Sequence, residues 1–158
     1  MSSRTADVPA RRVNLVRLFQ EAFALLGRFP IAILLLMCRI GVGAVFFKSG
    51  LVKIASWQAT VQLFAFEYRV PVLPPEIAAT LAASIELTAP VLLLVGFGAR
   101  FAAATMLGMT LVIEVFVYPG NWAEHLTWAT LLGFILTRGA GAISVDHLMA
   151  RRFRSDAR

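Results

Sequence analysis

Apolar and polar positions along this chain separate into long blocks. From Phe29 to Phe47, FPIAILLLMCRIGVGAVFF, every residue is apolar or small except Arg39. A helix of that length crosses the hydrocarbon of a bilayer, and no soluble core requires one. The pattern predicts a first span over about 30–51 and three more over about 77–97, 100–118 and 122–137, the last one short. Gly96 and Gly98 force a tight return between the second and third spans, and Pro119, Gly120 and Asn121 turn the chain again. Pro90 removes a backbone bond one turn after Glu86 and should kink the second span. Ahead of the spans, Leu15, Leu18, Phe19, Ala22, Leu25 and Leu26 recur at helical spacing, opposite Arg17, Glu21 and Arg28. This predicts an amphipathic helix lying in the membrane interface. Residues 1–12 read as a disordered tail, so 1–29 forms tail and interfacial helix. Between the first two spans, 55–76 reads as an external cap, with a short amphipathic stripe at Trp57, Val61 and Phe64 that ends in VPVLPP. Residues 139–158 read as a basic tail. The fold class is therefore an all-α membrane protein, a four-transmembrane-helix bundle over 30–138 with an N-terminal amphipathic helix.

Composition agrees: the 158 residues are 59% hydrophobic, and the mean hydropathy of +0.77 lies far above that of a soluble domain. A net charge of +6 would suggest nucleic acid in a soluble protein. Here the arginines bracket the apolar runs, so the partner is the lipid bilayer and no nucleic acid is expected. Four spans put both termini on one side, and the arginine bias makes that side cytoplasmic and the location the inner (plasma) membrane. About 28 residues precede the first apolar run and Arg39 interrupts it, so no cleavable signal is expected. Cys38 is the single cysteine, which leaves no disulfide and no thiolate cluster, and no metal site is expected.

The charges inside the apolar blocks carry the candidate chemistry. A guanidinium at mid-membrane costs about 2.5–3.5 kcal/mol unless a partner or a wet cavity receives it. Arg39 and Glu86, each central in its span on antiparallel neighbours, are expected at matching depth and paired by a charge-assisted bond. Lys48, Lys53, Glu114, Glu124 and His125 fall toward the external rim, and Arg100, Arg138 and Asp146 toward the cytoplasmic one. Arg39, Gly43, Phe46, Gly50 and Lys53 share one face of the first span. Trp57, Phe46, Phe47 and Phe116 are either interfacial anchors or the lining of a pocket. The polar pocket candidates are thus Arg39, Glu86, Lys53, His125 and Glu114, with no catalytic residue assigned.

RIGVGAVFFKSGLVKI (Arg39–Ile54), IELTAPVLLLVGFGARFAA (Ile85–Ala103) and GAGAISVDHLMARRF (Gly139–Phe153), in that order, resemble the DoxX family of small bacterial membrane proteins. The matching pattern comprises Arg39, Gly50 and Lys53, then Glu86, Gly96 and Arg100, then Gly139, Gly141, Ser144 and Asp146. The resemblance covers about Arg39–Phe153. It implies a four-helix inner-membrane protein that works beside partner subunits, in some members in quinone-linked oxidation of sulfur compounds and in others in oxidative-stress resistance. A quinone is the implied cofactor, with Arg39 and Glu86 as the floor of its pocket and Lys53 and His125 near the mouth. A small proton-coupled transporter and a purely structural membrane subunit stay open as alternatives, as does a homo-oligomer. The lone cysteine excludes a dithiol mechanism.

Overall fold

The computed structural model describes residues 9–155, with side-chain surroundings from residue 15 onward. The chain divides into two compact units, Met1–Pro30 and Ile31–Arg158. In the first, helix α1 spans Pro9–Gly27. The tail expected over 1–12 is helical from residue 9, and 1–8 lie outside the described residues. Leu18, Phe19, Leu25 and Leu26 of α1 are all exposed.

The second unit contains helices α2 (Ile31–Ala55), α3 (Trp57–Leu63), α4 (Pro75–Val95), α5 (Ala99–Val112), α6 (Trp122–Arg138) and α7 (Val145–Ser155). Single π-helical turns, Phe64–Tyr68 and Ile113–Val117, extend α3 and α5. The described residues contain no strand, and three helices are long and apolar enough to cross a membrane: α2, α4, and α5 with its π turn. Helix α6 has 17 residues. Helix α2 packs on α4, α4 on α5, α5 on α6, and α6 returns to α2. Inside this ring lie Val42, Phe46, Leu93, Met106, Leu132 and Ile135, together with Ala89, Ala99, Ala102 and Ala103. Four alanines in that core bring backbones close, which is how apolar helices gain packing energy in lipid. The outward side chains are also apolar: Met37, Val52, Phe101, Leu111 and Leu126 are all more than half exposed. Aqueous solvent disfavours such a surface, whereas lipid receives it.

Register follows from small residues. A Cβ at Gly43 would touch Pro90, and one at Gly50 would meet Leu87 at 2.9 Å and Glu86 at 3.0 Å. These contacts fix α2 against α4 with Arg39 beside the end of α4 and Glu86 beside Ser49–Lys53. The expected Arg39–Glu86 pair does not form. Arg39 donates instead through Nη2 to Leu94 O (2.8 Å) and through Nη1 to Ala140 O (2.6 Å) and Ile143 O (2.8 Å). Leu94 lies eight positions beyond Glu86, about 12 Å along α4. Centrality within each predicted span had put both charges at one depth, and the glycine contacts slide them apart.

The glycine and serine positions of the closing motif join this clamp. Gly96, at φ +72°, ends α4 with Phe97 N donating to Leu92 O (3.0 Å) and Gly96 N to Leu93 O (3.1 Å). The Asp146 carboxylate accepts from Gly98 N (2.8 Å) and Ala99 N (3.1 Å), capping α5 from a distant part of the chain. Ser144 Oγ accepts from His147 N at 3.2 Å and so caps α7, a helix within the segment read from sequence as a basic tail. Arg100 donates to Thr137 O at 3.3 Å across the α5–α6 seam. Gly139 and Gly141 take positive φ, and a Cβ on Gly141 would press on Leu35 at 3.0 Å.

A Cβ on Gly96 would lie 2.5 Å from Ser144 Cβ and 3.0 Å from Arg39 Nη1. Gly96→Ala is therefore expected to cost about 3 kcal/mol from the left-handed backbone and the collision together. For a chain of this size that lowers the melting midpoint by roughly 6–12 °C. A thermal scan in detergent reads it directly, and an unchanged midpoint would mean that the 140–146 segment does not rest on the α4–α5 turn.

Candidate functional site

At the end of the unit away from Arg39, the two π turns and the outer halves of α2, α4, α5 and α6 enclose a cavity of about 460 Å³. That volume lies within the range of small-molecule sites. Two aromatic groups wall it. Phe64, Tyr68 and Tyr118 meet edge to face, with centroids 5.0 and 5.6 Å apart. Phe46, Trp128 and His125 form the second group, at 5.2 and 5.1 Å. Such tilted contacts hold rings rigidly and present flat apolar faces to a guest.

Two polar groups interrupt these walls. In the first, the Lys53 ammonium lies 2.8 Å from Glu86 Oε1 and 2.7 Å from Oε2, and it also donates to Ser49 Oγ at 2.9 Å. Ser49 Oγ in turn donates to Glu86 Oε1 at 3.2 Å. Phe46, Ser49 and Lys53 share a helix face at three- and four-residue spacing, which brings ring, hydroxyl and ammonium to one wall. Thr60 donates to Lys53 O at 2.9 Å and ties α3 over this end of α2. In the second group, His125 Nδ1 lies 2.5 Å from Glu114 Oε2. His125 is buried, whereas the Glu114 side chain is 29% exposed. Glu114 sits in the π turn, where the extra residue per turn re-aims its side chain toward α6. His125 also borders a second, outward groove of about 510 Å³ between α5 and α6, which Glu114 lines as well.

At the rim, Tyr118 donates to Glu67 Oε1 at 2.8 Å. Neighbouring Tyr68, partial burial and the Glu67 carboxylate hold its phenol above the ordinary range. The cavity can therefore take a flat apolar molecule and meet its polar atoms with an ammonium, an imidazole and hydroxyls. Among the described residues no three metal-ligating side chains converge.

Of the five pocket candidates, Lys53, Glu86 and His125 line the cavity, and Glu114 stands behind His125. Arg39 belongs to the clamp at the other end, so it is no part of the pocket floor. Of the aromatics considered, only Phe46 lines the cavity, while Trp57, Phe47 and Phe116 face outward. Sequence reasoning missed Ser49, Phe64, Tyr68, Tyr118 and Trp128. Ser49 and Trp128 were recoverable, because each lies three or four residues from a candidate on the same helix face.

Apolar helices of spanning length, turned outward with their charges folded inward, define a helical membrane protein. The family model DoxX matches residues 34–119, more than half of the chain. The chain belongs to the DoxX family. Comparison with curated proteins and with solved structures returns no match.

Proposed function

We propose that this chain is a quinone-binding membrane subunit of an oxidoreductase or oxidative-stress complex, with the aromatic cavity as the site. The observation that carries this reading is the pairing of flat aromatic walls with two hydrogen-bonding groups, Lys53–Glu86–Ser49 and His125–Glu114, in a cavity of suitable volume. A bound quinone supplies two-electron, two-proton chemistry between its carbonyl and hydroxyl forms. Lys53 donates a hydrogen bond to one ring oxygen, and Glu86 holds that ammonium in place. His125 gives or takes a proton at the other ring oxygen, and the partly exposed Glu114 exchanges that proton with the rim. Phe46 and Trp128 orient the ring and exclude water.

On this reading α6 is the fourth span. Its 17 residues cover about 25 Å, enough for the hydrocarbon if Glu124 and Arg138 sit at its two edges. Four crossings then gather Arg100, Arg138, Arg151, Arg152 and Arg154 on one side, the cytoplasmic face of the inner membrane. The cavity faces the opposite side, α3 with its π turn is the external cap, and α1 lies along the interface.

The test uses the purified chain in nanodiscs, titrated with a short-chain quinone while tryptophan fluorescence is followed. Saturable quenching is expected, with most of its amplitude lost in Trp128→Phe, which leaves Trp57 and Trp122 as background. Lys53→Met and His125→Phe should each weaken binding about tenfold, the worth of one good hydrogen bond. Linear quenching, equal in wild type and Trp128→Phe, would leave the cavity without this ligand.

A further inference from the structure

Helix α7 buries no side chain, and every residue from His147 to Ser155 is exposed. Its start is nevertheless fixed. Asp146 N donates to Gly96 O at 2.9 Å, and the Asp146 carboxylate caps the start of α5. The first turn of α7 is thereby pinned where α4 ends and α5 begins, at the edge of two membrane-length helices. Along α7, Leu148, Met149 and Phe153 fall within one sector of about 140°, with His147, Arg151 and Arg154 opposite. Arg152 lies within the apolar sector, where a long stem lets its guanidinium rise to the surface. Leu148 and Phe153 are 63% and 69% exposed. Charge at this end is one-sided as well. Among the described residues, this end carries Arg100, Arg138, Arg151, Arg152 and Arg154 against one acid, Asp146, whose carboxylate backbone amides already occupy.

We propose that α7 is an anionic-lipid-binding helix, lying in the plane of the bilayer surface with Leu148, Met149 and Phe153 inserted and its arginines on lipid phosphates. An apolar strip pinned at the hydrocarbon edge needs a cover, and the bilayer is continuous with it. The arginine excess selects anionic headgroups over zwitterionic ones. This site is independent of the quinone cavity at the other end of the bundle.

The experiment places an environment-sensitive fluorophore on Met149→Cys in a Cys38→Ser background, one copy per nanodisc. Brominated lipids report insertion in discs of pure phosphatidylcholine and in discs rich in phosphatidylglycerol. Strong quenching is expected with phosphatidylglycerol and much less with phosphatidylcholine. The triple variant Arg151→Gln, Arg152→Gln, Arg154→Gln should remove the difference, because three arginines near an anionic surface shift the docked-to-free ratio on the order of a hundredfold. Wild-type docking should also weaken at high salt. Equal quenching in the two lipids, or a phosphatidylglycerol effect that survives the triple substitution, would overturn the proposal. A triple variant that melts like wild type keeps the reading free of misfolding.

Discussion

Replacing Arg39 with leucine is expected to remove about 3–5 kcal/mol of stability, a large fraction of the total for a domain of this size. The side chain is 1% exposed and donates to three carbonyls, those of Leu94, Ala140 and Ile143. Without it those oxygens stay in an apolar interior with no donor. Arg39→Lys should recover only part of the loss, since a single ammonium nitrogen cannot reach all three carbonyls that Nη1 and Nη2 reach together. Thermal scans and the monodisperse fraction after mild extraction measure both. A double-mutant cycle separates this clamp from the direct ion pair that the sequence suggested. Arg39→Leu and Glu86→Gln should add within about 0.5 kcal/mol, as distant sites do. Strong coupling between them would restore the pair and remove the clamp.

Lys53→Met is the second large effect. The Glu86 side chain is 3% exposed and, among the described residues, Lys53 is its only cationic contact, so the substitution strands a buried carboxylate beside Ser49. Stranding of this kind costs about 3–5 kcal/mol. The matched change Lys53→Met with Glu86→Met should recover most of that stability, because two apolar side chains of similar size replace the pair. The double variant should still bind a quinone about tenfold more weakly than wild type, which separates the pair's structural part from its part in recognition. Were the double variant as unstable as the single one, the packing around Gly50 rather than the charge would hold the two helices together.

How much of this was legible in the sequence depended on the type of signal. The apolar blocks located α2, α4, α5 and α6 within a few residues, because length and hydropathy are local properties. The face that carries Arg39, Gly43, Phe46 and Gly50 was also readable, since helical spacing fixes it, and all four residues are buried. Register was not readable. Which residue of α4 meets Arg39 depends on where Gly43 and Gly50 let the two backbones close, and a one-dimensional pattern of depth carries no such information. The π turns were hidden for a similar reason. An inserted residue leaves the composition of Ile113–Val117 unchanged while redirecting Glu114 toward His125. Helix α7 was missed although its signal was present, with Ser144 as N-cap and Asp146 in the first turn. The glycines before it and the arginines after it drew the reading toward a tail.

The spacing of the clamp also dictates an order of assembly. Arg39 leaves the ribosome 55 residues before Leu94 and 101 before Ala140. At about 5–20 residues per second its last acceptors arrive roughly 5–20 s after it does. Through that interval the leading helix resides in the bilayer with a cation only partly answered. Completion of the chain is what latches it, so a nascent protein cut short before residue 140 keeps a cation in the bilayer that lacks two of its three acceptors.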